Sequence, residues 1–370
     1  MEELKKHTVY IGWTESHPVV QRFWRVMAQL TDKDRSQFLR FSWGRSKLPK
    51  SDPWPRQFKL TYKNAGDEML PIAHTCFFQL ELPQYTTDKI RNICLLGHGG
   101  DGKSALAEAL LYFTGSTDRL GTAAQGNTVS DFDPEEIKRQ ISISTSVIPV
   151  EWKGKKINLL DTPGYFDFEG EVLQAVRMAE TALVVVSAKG GIHFGTTKAI
   201  NLAKSLNMPQ LFFITSIDEE HSDFYGVFDA LKQRYGKGVC AISVPIIENE
   251  KVTGYVDIVE MKGKRIVNNK VEIIDIPASL QGEIDMLRQL LIESVAEADD
   301  DLMEKFFADE PFTDEEIIRG LSHGIAGRKV FPVLCGSSAT LFGMGILLDF
   351  IDKFTSAPKL DPKGATELYT

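Results

Sequence analysis

The stretch IRNICLLGHGGDGKSALAEALLYF, residues 90–113, is the part of the sequence that most clearly indicates the fold. It starts with an apolar run typical of a buried strand, continues with GHGGDGKS at 97–104, and ends with helical periodicity. GHGGDGKS matches G-x-x-x-x-G-K-[ST], a pattern that requires a strand before it and a helix after it. Glycines let backbone N–H groups surround phosphate oxygens, and the helix directs its positive end at the same anion. The stretch therefore predicts a nucleotide phosphate site.

The pattern assigns roles to single residues of this loop. Lys103 is expected to reach the β- and γ-phosphates, and the Ser104 hydroxyl to hold magnesium. The other predicted nucleotide-binding residues of the loop are Gly97, His98, Gly99, Gly100, Asp101, Gly102 and Ala105.

Strand-like and helical runs alternate downstream of the loop, as in INLLDTPG followed by EVLQAVRMAE and ALVVVSA followed by TTKAINLAKSL. This alternation predicts an α/β fold with a doubly wound, mostly parallel sheet. Residues 240–310 depart from it, with short strand patterns before one long amphipathic helix at 277–307. We expect this segment to be an α+β insert on the α/β core.

Residues 1–85 have a different character and predict a separate, small α+β domain. They carry a net charge of +4, whereas residues 86–370 carry −13. Helical patterns at 18–30 and 35–43 precede strand patterns in QFKLTY and HTCFFQLELP. We therefore predict two domains, 1–85 and 86–370, with a junction near Tyr85–Thr86.

A second phosphate-site element is DTPG at Asp161–Gly164, which closes a strand pattern. A carboxylate at that strand end can hold magnesium through water, so Asp161 is a candidate metal and nucleotide residue. Gly164 is expected to donate its backbone N–H to the γ-phosphate and to act as a hinge.

The segments GHGGDGKSALAEALLY, TVSDFDPEEIKRQISIS and DTPGYFDFEGEVLQAVRMAETALVVVSAKGGI resemble the GTPase domain of the elongation factor G family of translational GTPases. The resemblance covers about 86–358. It implies GTP and GDP as ligands, magnesium as cofactor, hydrolysis of GTP to GDP and phosphate, and the ribosome as partner. It also implies that Ser142 ligates magnesium, at a position where the family usually has threonine.

Two departures from that family affect the site. Tyr165 stands where histidine usually orients the attacking water, and we expect slow turnover with Tyr165 orienting water or gating the site. The guanine motif Asn-Lys-x-Asp is reduced to Thr215 through Asp218. The Asp218 carboxylate can still accept hydrogen bonds from guanine and reject adenine. Thr215, Asp218, Ser337 and Ser338 complete the predicted nucleotide-binding set.

FLRFSWGRSKLP, QFKLTY and LPIAHTCFFQLELPQY resemble the C-terminal lobe of HECT-type ubiquitin ligases, over about 5–85. The resemblance implies that Cys76 carries ubiquitin as a thioester, with ubiquitin and a ubiquitin-conjugating enzyme as partners. We expect an incomplete lobe, because TTDKIRNICLLG serves the GTPase sheet where the lobe requires its closing helix.

The cysteines and the apolar runs of the chain bear on its location. The four cysteines form no CxxC pair, which favours reduced thiols in a cytoplasmic protein, and no apolar run reaches the length of a membrane span. The leading hypothesis is a GTP-binding protein with GTPase activity. The alternatives are a ubiquitin-protein transferase acting through Cys76 and a non-catalytic interaction protein that has kept the fold.

Overall fold

The computed structural model describes residues 2–49, 54, 56–63, 72–83, 87–249, 251–267 and 270–358. The chain divides into two compact units, Met1–Lys89 and Ile90–Thr370. The junction predicted near Tyr85–Thr86 lies outside the described residues.

The first unit packs helices against a mixed sheet whose order, over the described residues, is β1-β2-β4-β3. Strands β1, β2 and β4 are parallel, and β3 is antiparallel to β4. Aromatic rings fill its core. Phe58 and Phe78 are fully buried, and their ring centroids lie 4.9 Å apart. The elements are α1 (Glu2–Lys6), β1 (Thr8–Ile11), α2 (Pro18–Gln29), α3 (Asp32–Trp43), β2 (Phe58–Lys63), β3 (Ile72–His74) and β4 (Gln79–Pro83).

The prediction of one strand through HTCFFQLELP was wrong. Strand β3 ends at His74, a 3-10 turn covers Thr75–Phe77, and β4 starts at Gln79. Phe78 adopts a left-handed conformation with φ of 50°, which reverses the chain and turns its ring into the core. Burial of this ring outweighs the strand preference of the local sequence.

The second unit confirms the predicted doubly wound sheet. The described residues form a seven-stranded sheet of order β10-β15-β9-β8-β5-β7-β6, parallel except for β6. Every residue of β9 is buried, as expected for a strand covered on both faces. The strands are β5 (Ile90–Leu96), β6 (Ser146–Trp152), β7 (Lys155–Asp161), β8 (Thr181–Ser187), β9 (Gln210–Thr215), β10 (Val239–Ala241) and β15 (Phe331–Cys335).

Helices cover both faces of that sheet, and their termini bring the functional loops to the carboxyl ends of the strands. The helices between β5 and β10, and after β15, are α4 (Lys103–Phe113), α5 (Pro134–Arg139), α6 (Glu169–Met178), α7 (Phe194–Ser205), α8 (Phe224–Tyr235) and α12 (Met344–Phe354). None of the helices within the described ranges combines the length and apolar character needed to cross a bilayer.

The segment between β10 and β15 forms a second, antiparallel sheet followed by helices. The elements are β11 (Ser243–Glu248), β12 (Lys251–Asp257), β13 (Lys262–Val267), β14 (Lys270–Ile274), α9 (Gln281–Ala296), α10 (Asp300–Phe307) and α11 (Asp314–Ala326). The single helix predicted for 277–307 is two helices. Asp299 separates them, because its side chain accepts the Leu302 N–H and caps α10. We call the segment from Ser243 to Ala326 the insert.

Candidate functional site

The phosphate loop lies between β5 and α4, and Lys103 is folded back over it. The ammonium of Lys103 is buried and donates to the carbonyl oxygens of Gly97 and His98, at 3.3 and 2.9 Å. Burial lowers the pKa of Lys103, while the nearby Asp161 and Asp101 carboxylates oppose that shift. A buried cation whose hydrogen bonds go to carbonyl oxygens of the loop is suited to an incoming anion.

Asp101 fixes the shape of the loop from inside. Its carboxylate accepts the backbone N–H of His98 at 2.9 Å and the hydroxyl of Thr196 on α7 at 3.3 Å. Gly102 then takes φ of 88°, which only glycine adopts without strain, and α4 begins at the next residue. The loop is therefore braced by its own sequence and by a neighbouring helix.

Thr215 braces the same loop from the end of β9. Its hydroxyl is buried and donates to the carbonyl oxygen of Asp101 at 2.9 Å and lies 3.3 Å from that of Val186. This hydroxyl is thus engaged with the backbone behind the loop. Ser216 follows with φ of 57° and turns the chain toward Asp218.

The DTPG turn packs directly on the phosphate loop. A Cβ on Gly164 would lie 2.6 Å from the backbone of Gly99 and from the Lys103 ammonium nitrogen. The Thr162 hydroxyl anchors the turn by donating to the Leu95 carbonyl oxygen at 2.6 Å. Glycine at 164 is therefore a steric requirement for bringing the two elements together.

Tyr165 follows this turn and lies over the loop. A Cβ on Gly99 would lie 2.9 Å from the Tyr165 ring, and the side chain is 44% exposed. The phenol thus stands at the mouth of the phosphate cleft. Replacement of Gly99 by any larger residue would displace it.

Ser142 is positioned by a network around Glu136 of α5. The buried Glu136 carboxylate accepts backbone N–H groups from Asp133, Ile143 and Ser144, at 3.1, 2.9 and 3.1 Å. The Ser142 hydroxyl then lies 3.1 Å from that of Ser104. Two predicted magnesium ligands, far apart in sequence, are therefore adjacent in space.

Asp161, the last residue of β7, lies near the Ser104 hydroxyl. Its carboxylate is buried and makes no hydrogen bond of ordinary geometry within the described residues, although the Ser104 and Ser130 hydroxyls lie near it. Burial raises the pKa of Asp161 to about 6, against the opposing effects of the Ser104 hydroxyl and the Lys103 ammonium. A buried carboxylate near Ser104, whose hydroxyl lies against that of Ser142, offers the oxygen donors that magnesium prefers.

Sequence reasoning missed Asp131 and Gln140. Both line a cleft of about 210 Å³ with the phosphate loop, Ser142, Gly164 and Tyr165. Asp131 is buried, its Oδ1 has no partner among the described residues, and its charge raises the pKa of Asp161 further. The sequence offered no signal for them except the general resemblance of SDFDPEEIKRQISIS.

Gln140 holds a strained conformation that glycine would relieve. It ends α5 with φ of 56°, in the left-handed region that costs most residues about 1–2 kcal/mol. We expect Gln140→Gly to stabilise the nucleotide-free protein by about 0.5–1 kcal/mol, after the entropy cost of glycine in the unfolded chain. The measurement is the thermal midpoint, with Gln174→Gly, within α6, as a control that should lower it. An unchanged or lower midpoint for Gln140→Gly would contradict the strain.

A second cleft, of about 170 Å³, lies beside Asp218. Asp218 is exposed at its edge, and the buried Ser337 lines it as well. Ser337 is fixed because its N–H donates to the Phe342 carbonyl oxygen at 2.9 Å and its Oγ accepts the Thr340 N–H at 3.2 Å. Ser338 follows it and is half-buried. The ends of β9 and β15 thus bring Asp218 and Ser337 to one cleft.

Cys76, in the first unit, is exposed on the 3-10 turn between β3 and β4. Its neighbour His74 lies 3.2 Å from Glu81, which also pairs with Lys63 at 2.9 Å. Lys63 lowers the pKa of Glu81, so this carboxylate is ionised beside His74. The other three cysteines are buried, and burial raises the pKa of each thiol, which makes them poor nucleophiles.

Two family models match the chain. The model described as the elongation factor Tu GTP binding domain matches residues 88–357. The model described as the HECT-domain (ubiquitin-transferase) matches residues 1–95.

Curated relatives and a solved structure agree with the first match. An elongation factor G from Thermotoga maritima is 32% identical over 274 residues, which are 73% of this chain and 40% of that protein. An elongation factor G-like protein from the same organism is 33% identical over 273 residues, 74% of this chain and 39% of its own length. A crystal structure of a protein from Thermus thermophilus gives a TM-score of 0.70 at 32% identity, over 73% of this chain and 41% of that one.

The chain therefore spans about two fifths of the length of these relatives. The match from residue 88 to 357 contains the phosphate loop, the DTPG turn, Ser142 and both clefts. On these grounds the chain belongs to the family of the elongation factor Tu GTP binding domain.

Proposed function

We propose that this chain binds GTP together with magnesium and hydrolyses it to GDP and phosphate. The observation that carries the proposal is that two buried groups of opposite charge lie together at the phosphate loop. The Lys103 ammonium donates to carbonyl oxygens of the loop, and the Asp161 carboxylate has no hydrogen-bond partner of ordinary geometry among the described residues. Each group is poorly satisfied alone, and a magnesium–triphosphate complex would satisfy both.

Different residues around the cleft would bind the phosphates and the magnesium ion. Lys103 would turn from the loop carbonyl oxygens to the β- and γ-phosphates, and the N-terminal N–H groups of α4 would donate to the same oxygens. Ser104 and Ser142 would hold magnesium, with Asp161 and Asp131 accepting hydrogen bonds from its waters. When bound, magnesium would neutralise charge that develops on the phosphate oxygens.

Tyr165 would orient the attacking water in place of the histidine usual in this family. A phenol hydroxyl donates one hydrogen bond and can accept another, which is enough to orient a water molecule. Because phosphoryl transfer depends mainly on positioning and charge stabilisation, the replacement of histidine by tyrosine should not abolish hydrolysis. We expect the reaction to be slow. We also propose a cytoplasmic location, because the four cysteines form no CxxC pair, and the ribosome as partner, because the chain resembles the elongation factor G family.

The test is single-turnover release of phosphate from radiolabelled GTP with magnesium in excess. We expect slow, magnesium-dependent release that stops with a chelator and is absent with ATP. Tyr165→Phe should slow it further, because the hydroxyl is lost while the ring over Gly99 remains. No release together with no nucleotide-dependent thermal shift would instead indicate a non-catalytic protein that has kept the fold.

We also propose a second candidate activity, transfer of ubiquitin through Cys76. Its specific support is an exposed thiol at residue 76 within a HECT-domain match. The assay is formation of a reducible ubiquitin adduct from a charged ubiquitin-conjugating enzyme.

Selective thiol labelling prepares that assay. We expect one labelled cysteine in the native protein, Cys76, and none in Cys76→Ala, because Cys94, Cys240 and Cys335 are buried. Mass spectrometry after brief iodoacetamide treatment measures it. Labelling of Cys76 without any ubiquitin adduct would remove the transferase candidate while leaving the structural description intact.

A further inference from the structure

The cleft beside Asp218 is built from two parts of the second unit. Ile217 and Phe342 from the α/β core form a buried apolar floor, with Asp218, Ser337 and Thr340 at its polar edges. Two further lining residues, Val252 and Thr253, come from strand β12 of the insert. Neither belongs to any element that the phosphate motifs predict.

A β-bulge explains how two consecutive residues of one strand face the same cleft. In a regular strand, successive side chains point to opposite faces. Here Ile246 pairs with Gly254 and Ile247 with Val252, so Thr253 is the extra residue on β12. A bulge bends its strand, redirects a side chain and recurs beside active sites. The Thr253 hydroxyl lies 3.5 Å from the Ile246 carbonyl oxygen, at the bend.

The chemistry of this wall suits a flat heterocycle with polar edges. Val252 supplies an apolar surface, Thr253 a methyl and a hydroxyl, and neither carries a charge. Across from them only Asp218 is charged among the lining residues. The volume of about 170 Å³ is below the usual range for a whole drug-sized ligand, roughly 300–1,000 Å³, and suits a single ring system.

We propose that Val252 and Thr253 form a wall of the base-binding site, which makes the insert a determinant of nucleotide affinity and specificity. This inference rests on the proposed GTP binding. The wall adds contact to the apolar surface that the core supplies through Ile217 and Phe342. The nucleotide is then held by two substructures, its phosphates by the α/β core and its base by the core and insert together.

The experiment is isothermal titration of a non-hydrolysable GTP analogue and of inorganic tripolyphosphate, each with magnesium. Thr253→Trp fills the cleft with an indole, so we expect affinity for the GTP analogue to fall by at least about tenfold. Affinity for tripolyphosphate should stay unchanged, because this ligand has no base. Thr253→Ala, a milder change, should weaken only the GTP analogue, by about two- to fivefold.

Val271→Trp is the matched control, since Val271 is an exposed residue of the same insert sheet, on β14. It should leave both affinities as in the unmodified chain. If Thr253→Trp and Thr253→Ala retain full affinity for the GTP analogue, or lose both ligands equally, the insert is not part of the base site. If the unmodified chain binds neither ligand, the proposed GTP binding itself fails.

Discussion

Lys103→Ala is expected to abolish measurable GTP binding. The ammonium is buried above the loop, within reach of the carbonyl oxygens of Gly97 and His98, and is the cation that the phosphates would meet there. Hydrogen bonds to charged groups contribute about 1.5–3 kcal/mol each, so losing two of them weakens binding by at least about a hundredfold. Titration calorimetry with a non-hydrolysable GTP analogue and magnesium measures the change.

Lys204→Ala is the control for charge alone, because Lys204 is exposed in the last turn of α7. It removes one positive charge from the same unit and should leave affinity within about twofold. Equal affinity of Lys103→Ala and the unmodified chain would show that the folded-back lysine is a structural feature of the loop. That result would remove the role assigned to Lys103.

Asp218→Asn is expected to exchange GTP for xanthosine triphosphate as the preferred ligand. The Asp218 carboxylate can only accept hydrogen bonds, which suits the N1–H and exocyclic amine of guanine. Xanthine carries a carbonyl oxygen where guanine has the amine, and an asparagine amide can donate to it. We expect GTP affinity to fall by about a hundredfold and xanthosine triphosphate to bind at least about tenfold better than GTP.

Competition between the two nucleotides for one fluorescent analogue measures this preference. Asp223→Asn is a suitable control, because Asp223 caps α8 in the same region and is outside the base cleft. A variant Asp218→Asn that keeps its preference for GTP would mean that Asp218 does not read the base.

The sequence predicted those parts of the fold that depend on short stretches of neighbouring residues. GHGGDGKS specifies a strand, a glycine turn and a helix within a few residues, and the alternation after it fixes a doubly wound sheet. The family match confirms the GTP-binding class. Burial overrode local preference at HTCF, where Phe78 turns into the core, and Asp299 capped a new helix inside a continuous helical pattern.

The missed parts of the site depend on contacts between distant segments. Asp131 and Gln140 reach the cleft only because Glu136 folds its own segment into a compact loop. Val252 and Thr253 reach the base cleft through a bulge. A bulge depends on how two strands pair, so the sequence of one strand does not predict it. In the sequence, Thr215 occupies the asparagine position of the guanine motif. In the structure, its hydroxyl donates to the backbone of the phosphate loop.

Titration of GTP and ATP, each with magnesium, into the nucleotide-free chain tests whether Asp218 and the phosphate loop form one guanine-nucleotide site. Asp218, Lys103 and the pair Ser104–Ser142 together predict saturable binding of GTP that requires magnesium. ATP should bind at least about a hundredfold more weakly, because its base presents a lone pair to the Asp218 carboxylate. Equal binding of ATP and GTP, or no binding of either, would show that the chain has no site specific for GTP.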